Sequence, residues 1–287
     1  MFTIMAAFWG AAYLIPYKAA ADQVPVEYLV LPTLFFAAVL NTLVILFYKP
    51  RFLFRINQFS FGVAILLGIF SALGNEAMAH ALAWIEPGVA SVLLRTQVIY
   101  VTVGGWWLLR EKMTYRFWIG AAIAFGGVLL LQQNSPDIVS GSIKGILWAL
   151  LAALSFASMQ VLVRKTVHRI DPLMVNGLRL WLAALVVACI PGRVNLLPQT
   201  DYKIWLLTGS AALFGPVIGR IFLMLALRTI PAALSTLVLF VSPVFAFLLG
   251  GSILGYWPGT GECLGCVVIL IGISLPVAEA LKQSQSS

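Results

Sequence analysis

The sequence predicts an all-α integral membrane protein, with ten transmembrane helices arranged as two inverted five-helix repeats. Three observations carry that prediction. The 287 residues are 61% hydrophobic and only 10% charged. Long apolar runs follow one another without the alternation of a β-strand. The second half also repeats the glycine pattern of the first.

Composition comes first, because an ordinary soluble domain has about a quarter of its residues charged. A spanning helix takes about 20 mostly apolar residues, so this length holds roughly ten spans with short connections and no separate soluble domain. The net charge of +8 would suit a nucleic-acid partner only if the basic residues clustered on a water-facing surface. They sit instead in short gaps between apolar runs, so no nucleic acid is expected. The odd count of 3 cysteines argues against a disulfide framework. Cys189 is isolated, and Cys263 and Cys266 lack the His or further Cys of a zinc site, so these read as helix-packing residues. No metal or cofactor is expected. Because its apolar run begins at Phe2 with no basic segment before it, the N-terminus reads as a first span rather than a signal peptide.

The apolar runs place spans near 2–20, 28–47, 61–83, 89–109, 115–131, 143–163, 174–190, 204–225, 233–254 and 260–277. Turn-forming residues mark the gaps: Pro25, Lys49-Pro50-Arg51, Glu86-Pro87-Gly88, Ser135-Pro136-Asp137, Asp171-Pro172, Pro191-Gly192 and Trp257-Pro258-Gly259. Runs this long and unalternating exclude a β-barrel. Basic residues are retained on the cytoplasmic side. One set of alternate gaps holds Lys49, Arg51, Arg55, Arg110, Lys112, Arg116, Arg164, Lys165, Arg169, Arg228 and Lys282. The other holds only Lys18, Lys144, Arg193 and Lys203. Both termini are therefore expected in the cytoplasm, with the lipid bilayer as the main partner. Arg95, Arg179 and Arg220 fall inside spans.

The third observation comes from laying residues 81–131 over 226–276. Gly105 then falls on Gly250, Gly120 on Gly265 and Gly127 on Gly272. Repeats of 1–135 and 143–280 hold five spans each, an odd number, so the second must enter the membrane from the opposite side. Inverted repeats can rock about a central site and expose it alternately.

Trp9-Gly10 with Lys18, and the stretch ALAWIEPGVASVLLRTQVIYVTVGGWWLLREKMTYRFWIGAAIAFGGVLLL, carry a resemblance to a known family. Glu111-Lys112 closes the fourth span there, Gly120 opens the fifth, and Gly126-Gly127 lies late in it. The second copy answers with LALRTIPAALSTLVLFVSPVFAFLLGG and Gly265 through Gly272. In these features the chain resembles the EamA-type members of the drug/metabolite transporter superfamily, over nearly its whole length. The resemblance implies a ten-helix transporter whose central cavity is lined by spans 1, 3, 4, 6, 8 and 9, with spans 5 and 10 at the periphery. Two positions depart from the repeat: Val98 stands where the second copy has Pro243, and Tyr256 where the first has Glu111. The fourth span is accordingly expected to lack the break of the ninth. Relatives of one fold carry different cargoes, so the resemblance names no cargo.

An ionisable side chain in mid-bilayer needs a reason, because inserting one costs about 2.5–3.5 kcal/mol. Arg95, with Gln97 and Tyr100 on the same span, would clamp a carboxylate or phosphate on the cargo; the alternative is a structural ion pair, with Glu76 as the natural partner. Glu76 and His80 lie four apart on span 3 and share a face, the spacing of a proton-coupling pair, unless both are simply hydrated near the interface. Asn75 and Arg220 occupy matching positions of the two copies. Arg220 follows Gly215-Pro216 and Gly219, which can open the backbone to a ligand, although an arginine there can also snorkel to the interface. Arg179 reads as structural. Trp9, Tyr13 and Tyr17 recur every four residues as one aromatic face, either a cavity wall or a packing surface, and Gln160 matches Tyr13 across the copies. Gly120 with Ala124, Gly251 with Gly255, and Gly261 with Gly265 let helices approach closely, to join the halves or to form a homodimer.

The resulting expectation is a secondary transporter in the bacterial cytoplasmic membrane that exports a small polar molecule. An amino acid or related organic anion or zwitterion comes first, and drugs or other organic cations second. A membrane-embedded enzyme would need a nucleophile with its base, or metal ligands, and no HExxH, GxSxG or carboxylate pair on one span is found. A receptor subunit would leave the inverted copies without mechanical purpose. Cysteines introduced at the two chain ends should label from the cytoplasmic face only; labelling from opposite faces would contradict an even number of spans.

Overall fold

In the computed structural model the described residues are 1–48, 57–85, 87–131, 142–194, 201–254 and 259–285. Several residues named above lie outside them: Lys49, Pro50, Arg51, Arg55, Glu86, Ser135-Pro136-Asp137, Gly255, Tyr256 and Trp257-Pro258. Among the described residues the chain is helical, with turns and no strand.

The helices run α1 Phe2–Ala21, α2 Val26–Tyr48, α3 Gln58–Leu82, α4 Pro87–Arg95, α5 Gln97–Leu109, α6 Tyr115–Leu131, α7 Ile143–Thr166 and α8 Pro172–Ala188. They continue as α9 Tyr202–Ala212, α10 Arg220–Thr229, α11 Ala232–Val238, α12 Ser242–Leu254 and α13 Thr260–Gln285. A π-helical segment, Leu213–Gly219, joins α9 to α10, and a 3-10 turn, Leu239–Val241, joins α11 to α12. Local chemistry sets several boundaries. Asn57 caps α3 by accepting from the Ser60 amide at 2.7 Å, and Asp171 caps α8 by accepting from the Leu173 and Met174 amides, with Pro172 preset in the first turn. Arg110 ends α5 in the left-handed region at φ 55°.

Among the described residues seven segments are long and apolar enough to cross a membrane: Val26–Tyr48, Gln58–Leu82, Val89–Leu109, Ile143–Thr166, Tyr202–Thr229, Ala232–Gly250 and Thr260–Ala280. Tyr115–Leu131 and Pro172–Ala188 are shorter apolar helices, and α1 adds another of 20 residues. Large side chains such as Leu185, Leu206 and Leu248 lie on the outer surface, while small ones such as Ala7, Ala11, Ala37, Ala38, Ala152 and Ala153 fill the interior. Larger side chains such as Phe240, Leu67 and Leu180 are buried among them. Lipid is as apolar as leucine, so close packing of small residues holds the helices together.

One expectation is corrected. The fourth span is interrupted despite having Val98 where the ninth has Pro243: α4 ends at Arg95, and Thr96 forms a turn before α5 begins at Gln97. The Thr96 hydroxyl donates to the Leu93 carbonyl at 2.6 Å. A side chain competing for its own helix's carbonyl thus marks the break that proline marks elsewhere.

The helix pairing follows a simple scheme. α1 packs on α9, the π segment and α10, and α7 packs on α3; α1 also meets α11 and α12, as α7 meets α4 and α5. α2 packs on α9, as α8 packs on α3. α2 meets α8, and α6 meets α13.

The α6–α13 contact is the closest. A Cβ at Gly127 would lie 2.8 Å from the Gly265 carbonyl oxygen, and one at Gly265 would lie 2.9 Å from the Gly127 carbonyl. Gly120 and Gly272 approach each other in the same way, with fully buried Ala124 beside them. Gly120, Ala124 and Gly265 thus pack α6 against α13 within the chain. Backbone against backbone leaves no room to adjust. Gly127→Ala should therefore cost about 1–3 kcal/mol, whereas Gly126→Ala, with nothing within 4 Å of the new methyl, should be neutral; thermal unfolding in detergent compares them.

Candidate functional site

The site begins with a broken helix. Pro216 has no amide hydrogen and cannot continue α9 in α-helical register, so the chain widens into the π turn of Leu213–Gly219. Its carbonyl is met by side chains of α8: Asn176 Nδ2 donates at 3.1 Å and Arg179 Nη2 at 3.4 Å. Arg179 Nε also donates to Asn176 Oδ1 at 2.9 Å, and Nη1 to Ser71 Oγ of α3 at 2.9 Å. Asn176 donates on to Asn41 Oδ1 at 2.8 Å, and Asn41 to the Leu173 carbonyl at 3.0 Å. Asn41, Asn176 and Arg179 are all buried. This lattice fastens α2, α3 and α8 to the π segment, the structural role expected of Arg179.

Arg220 opens α10 directly after the π turn. Its Nε and Nη2 are buried and have no hydrogen-bond partner among the described residues. It lies within electrostatic reach of Arg179. Asn75 is one turn along α3 from Ser71 and donates to the Ser71 carbonyl at 2.7 Å. Asn75 and Arg220 therefore each lie four residues beyond a residue that Arg179 holds.

The aromatic face of α1 rests on the break. The Trp9 and Phe214 rings are 5.4 Å apart, and Tyr13 and Tyr17 are 4.9 Å apart. A Cβ at Gly215 would lie 2.8 Å from the Tyr13 ring, so glycine is needed there for α1 to approach. Trp9 and Tyr13 thus pack on the π segment and are half-buried.

Arg95 ends α4 at the second break. Its guanidinium lies 5.4 Å from the centroid of the Phe240 ring, in the 3-10 turn of the third broken helix. The ion pair considered for it is corrected: no carboxylate among the described residues pairs with Arg95, and Glu76 instead binds Arg193, Oε2 to Nη2, at 2.6 Å. Arg193 Nη1 also reaches Glu27 Oε2 at 3.3 Å. His80 stacks on Trp148 with centroids 5.0 Å apart; Glu76 and His80 share α3 but have different partners. Gln97 and Tyr100 are half-buried on α5, Tyr100 against the core that contains Phe240. Gln160 is buried and accepts from the Thr236 hydroxyl, so its carbonyl joins α7 to α11 rather than facing an open space.

Two ion clusters were not legible in the sequence. Arg193 follows α8 in a turn and reads there as an ordinary gap cation. Glu111 accepts from Arg164 Nε at 3.0 Å and from the Ala232 amide at 3.2 Å, while Arg164 Nη1 donates to the Leu227 carbonyl at 2.7 Å. That cluster joins α5, α7, α10 and α11 at the opposite end of the bundle from Arg193. No local spacing announces either, because each partner lies far away in the chain.

Three comparisons with known proteins bear on this arrangement. The chain is 28% identical over 222 residues to the uncharacterized transporter sll0355 of Synechocystis, covering 69% of this chain and spanning 65% of the length of that relative. It is 30% identical over 217 residues to the uncharacterized inner membrane transporter YedA of Escherichia coli K12, covering 74% of this chain and 69% of that one. A solved crystal structure, 19% identical, superimposes with a TM-score of 0.78 over 100% of this chain and 98% of its own, a likeness of fold alone. The model of the EamA-like transporter family matches residues 1–132 and again 143–277. With both matches spanning the broken helices and the lattice at Arg179, the chain belongs to the EamA-like transporter family, within the drug/metabolite transporter superfamily.

Proposed function

We propose that the chain is a secondary transporter that exports a small polar metabolite by alternating access. The cargo is an organic anion or zwitterion, with amino acids first. The observation that carries this reading is Arg220, a cation whose Nε and Nη2 are buried without partners among the described residues, beside a proline-broken helix. A buried guanidinium is costly unless something answers it. Arg179, nearby, has its acceptors within the protein; Arg220 Nε and Nη2 have none among the described residues, and an anionic group of a passing solute would supply them. Organic cations are disfavoured on the same ground.

Ten spans in two inverted five-helix repeats, roughly 1–135 and 143–280, provide the mechanics. The exchangeable pairing supports this arrangement: α1 meets the α9–α10 segment as α7 meets α3. Gly120 on Gly272 likewise mirrors Gly265 on Gly127. Arg95 and Phe240, equivalent positions of the two copies, also meet, as residues beside a two-fold axis must. The breaks at Thr96, Pro216 and Leu239–Val241 supply half-helices near mid-membrane, the geometry in which transporters hold solutes. The inner membrane naming of the Escherichia coli relative supports a bacterial cytoplasmic membrane, with both termini inside. Because the relatives are named as transporters, enzymatic turnover is not part of this reading.

Removing Arg220 or Arg179 separates the two roles. Arg220→Met should lower flux by more than about tenfold without lowering thermal stability, since it deletes an unpaired buried charge. Arg179→Met should cost about 2–3 kcal/mol of stability by removing the donor from Asn176 Oδ1 and Ser71 Oγ. Untargeted comparison of metabolites inside and outside cells overproducing wild type, Arg220→Met or Arg95→Ala measures the flux without a prior guess at cargo. Unchanged export in both arginine variants would remove these residues from the cargo path.

A further inference from the structure

The ion cluster at Arg193 is incompletely satisfied, and in a specific way. A guanidinium and a carboxylate side by side make two parallel bonds. Here only Nη2 to Oε2 of Glu76 is made, at 2.6 Å. Arg193 Nε, a donor, and Glu76 Oε1, an acceptor, are both buried without partners among the described residues. Glu76 is 7% exposed and Arg193 9%, so bulk water does not serve either. Glu27, which takes Nη1 at 3.3 Å, is more open, its side chain 32% exposed. Three other polar side chains lie on α1 and α3 near it in sequence or charge. Tyr17 lies within electrostatic reach of Glu76, His80 is a turn further along α3 against Trp148, and Asn75 is turned back onto Ser71.

We propose that the Glu76–Arg193 pair is a recognition site for a zwitterion carrying an ammonium and a carboxylate on neighbouring atoms, as an α-amino acid does. This inference rests on the transport reading above and narrows its cargo. The ammonium donates to Glu76 and the carboxylate accepts from Arg193, so one ligand supplies both a donor for Oε1 and an acceptor for Nε. Charge accounting selects for it. Two carboxylates and one guanidinium carry a net charge of about −1, and a zwitterion leaves that sum unchanged. A simple anion engages Arg193 but strands Glu76 in a buried site. A simple cation engages Glu76 and leaves Arg193 with only Glu27. Either half-match leaves a desolvated charge uncompensated, which is costly.

The pair also ties α3 to the turn that follows α8, residues 190–194, where Gly192 adopts φ +86°. A zwitterion inserted between the two charges must part them. Recognition and opening of this end are then one event, and a solute that cannot replace both halves of the pair cannot open it.

The test uses the full-length protein in proteoliposomes, with counterflow of a mixture of radiolabelled α-amino acids. Competitors are the unlabelled free acids, their N-acetyl derivatives, which keep only the negative charge, and their methyl esters, which keep only the positive one. Each blocked derivative should compete about tenfold or more weakly than the free acid. Equal competition by either derivative overturns the inference. Glu76→Gln should shift preference toward the N-acetyl acids, and an unshifted preference in the folded variant also overturns it. If Glu76→Gln does not fold, the wild-type competition decides alone. Counterflow of N-acetyl acids without counterflow of free acids sinks the zwitterion site and leaves the transport reading standing. Absence of counterflow for every solute tested sinks that reading, and this inference with it.

Discussion

No water stands inside a bilayer to receive a backbone carbonyl or a side-chain charge, and every polar group at depth must find its partner in the protein. The structure turns on how that demand is met at Pro216. The π turn there would be an expensive defect if left alone. Arg179 and Asn176 of α8 close on its carbonyl, and Asn41 and Ser71 extend the closure to α2 and α3. A helix break thereby becomes a fixed junction of four elements rather than a weak point.

That junction gives the two nearby arginines different meanings. Arg179 spends its guanidinium on neutral acceptors and holds the frame. Arg220 lies on the same frame with Nε and Nη2 buried and unanswered among the described residues. Geometry rather than residue type separates them, since both are arginines inside spans with no carboxylate on the same helix turn. The tight α6–α13 contact supplies a rigid seam between the two portions of the chain, with carbonyl oxygens of one helix facing glycines of the other. The ion clusters at Arg193 and at Glu111 link the same two portions of the chain at other places.

Much of the fold was legible in the residues because the bilayer imposes a length and an apolarity that composition reveals directly. The spans at 61–83 and 143–163 correspond to α3 and α7 within a few residues. The glycines at 120, 127, 265 and 272 stood out because no apolar alternative can replace them where backbones touch. The break at Thr96 escaped, since the proline used as the sign of a broken helix was absent and a hydroxyl did the same work. The ion pairs escaped for a different reason. Arg95 and Glu76 looked like natural partners because both were charges inside spans, yet Glu76 is engaged by Arg193, a residue beyond the end of α8 that folds back against α3.

The sequence by itself determined the class of solvent, the helical secondary structure and the family, because each follows from runs and repeats that neighbouring residues define. It also named Arg220, Arg179 and Arg95 as charges that needed explaining. Only the tertiary structure decided which of them is answered within the protein, which carboxylate Arg193 takes and where that pair is left open. Those outcomes depend on contacts between residues more than a hundred positions apart, as Glu76 and Arg193 are. Coulomb attraction and hydrogen bonding act over a few ångströms, and only helix packing brings such residues that close.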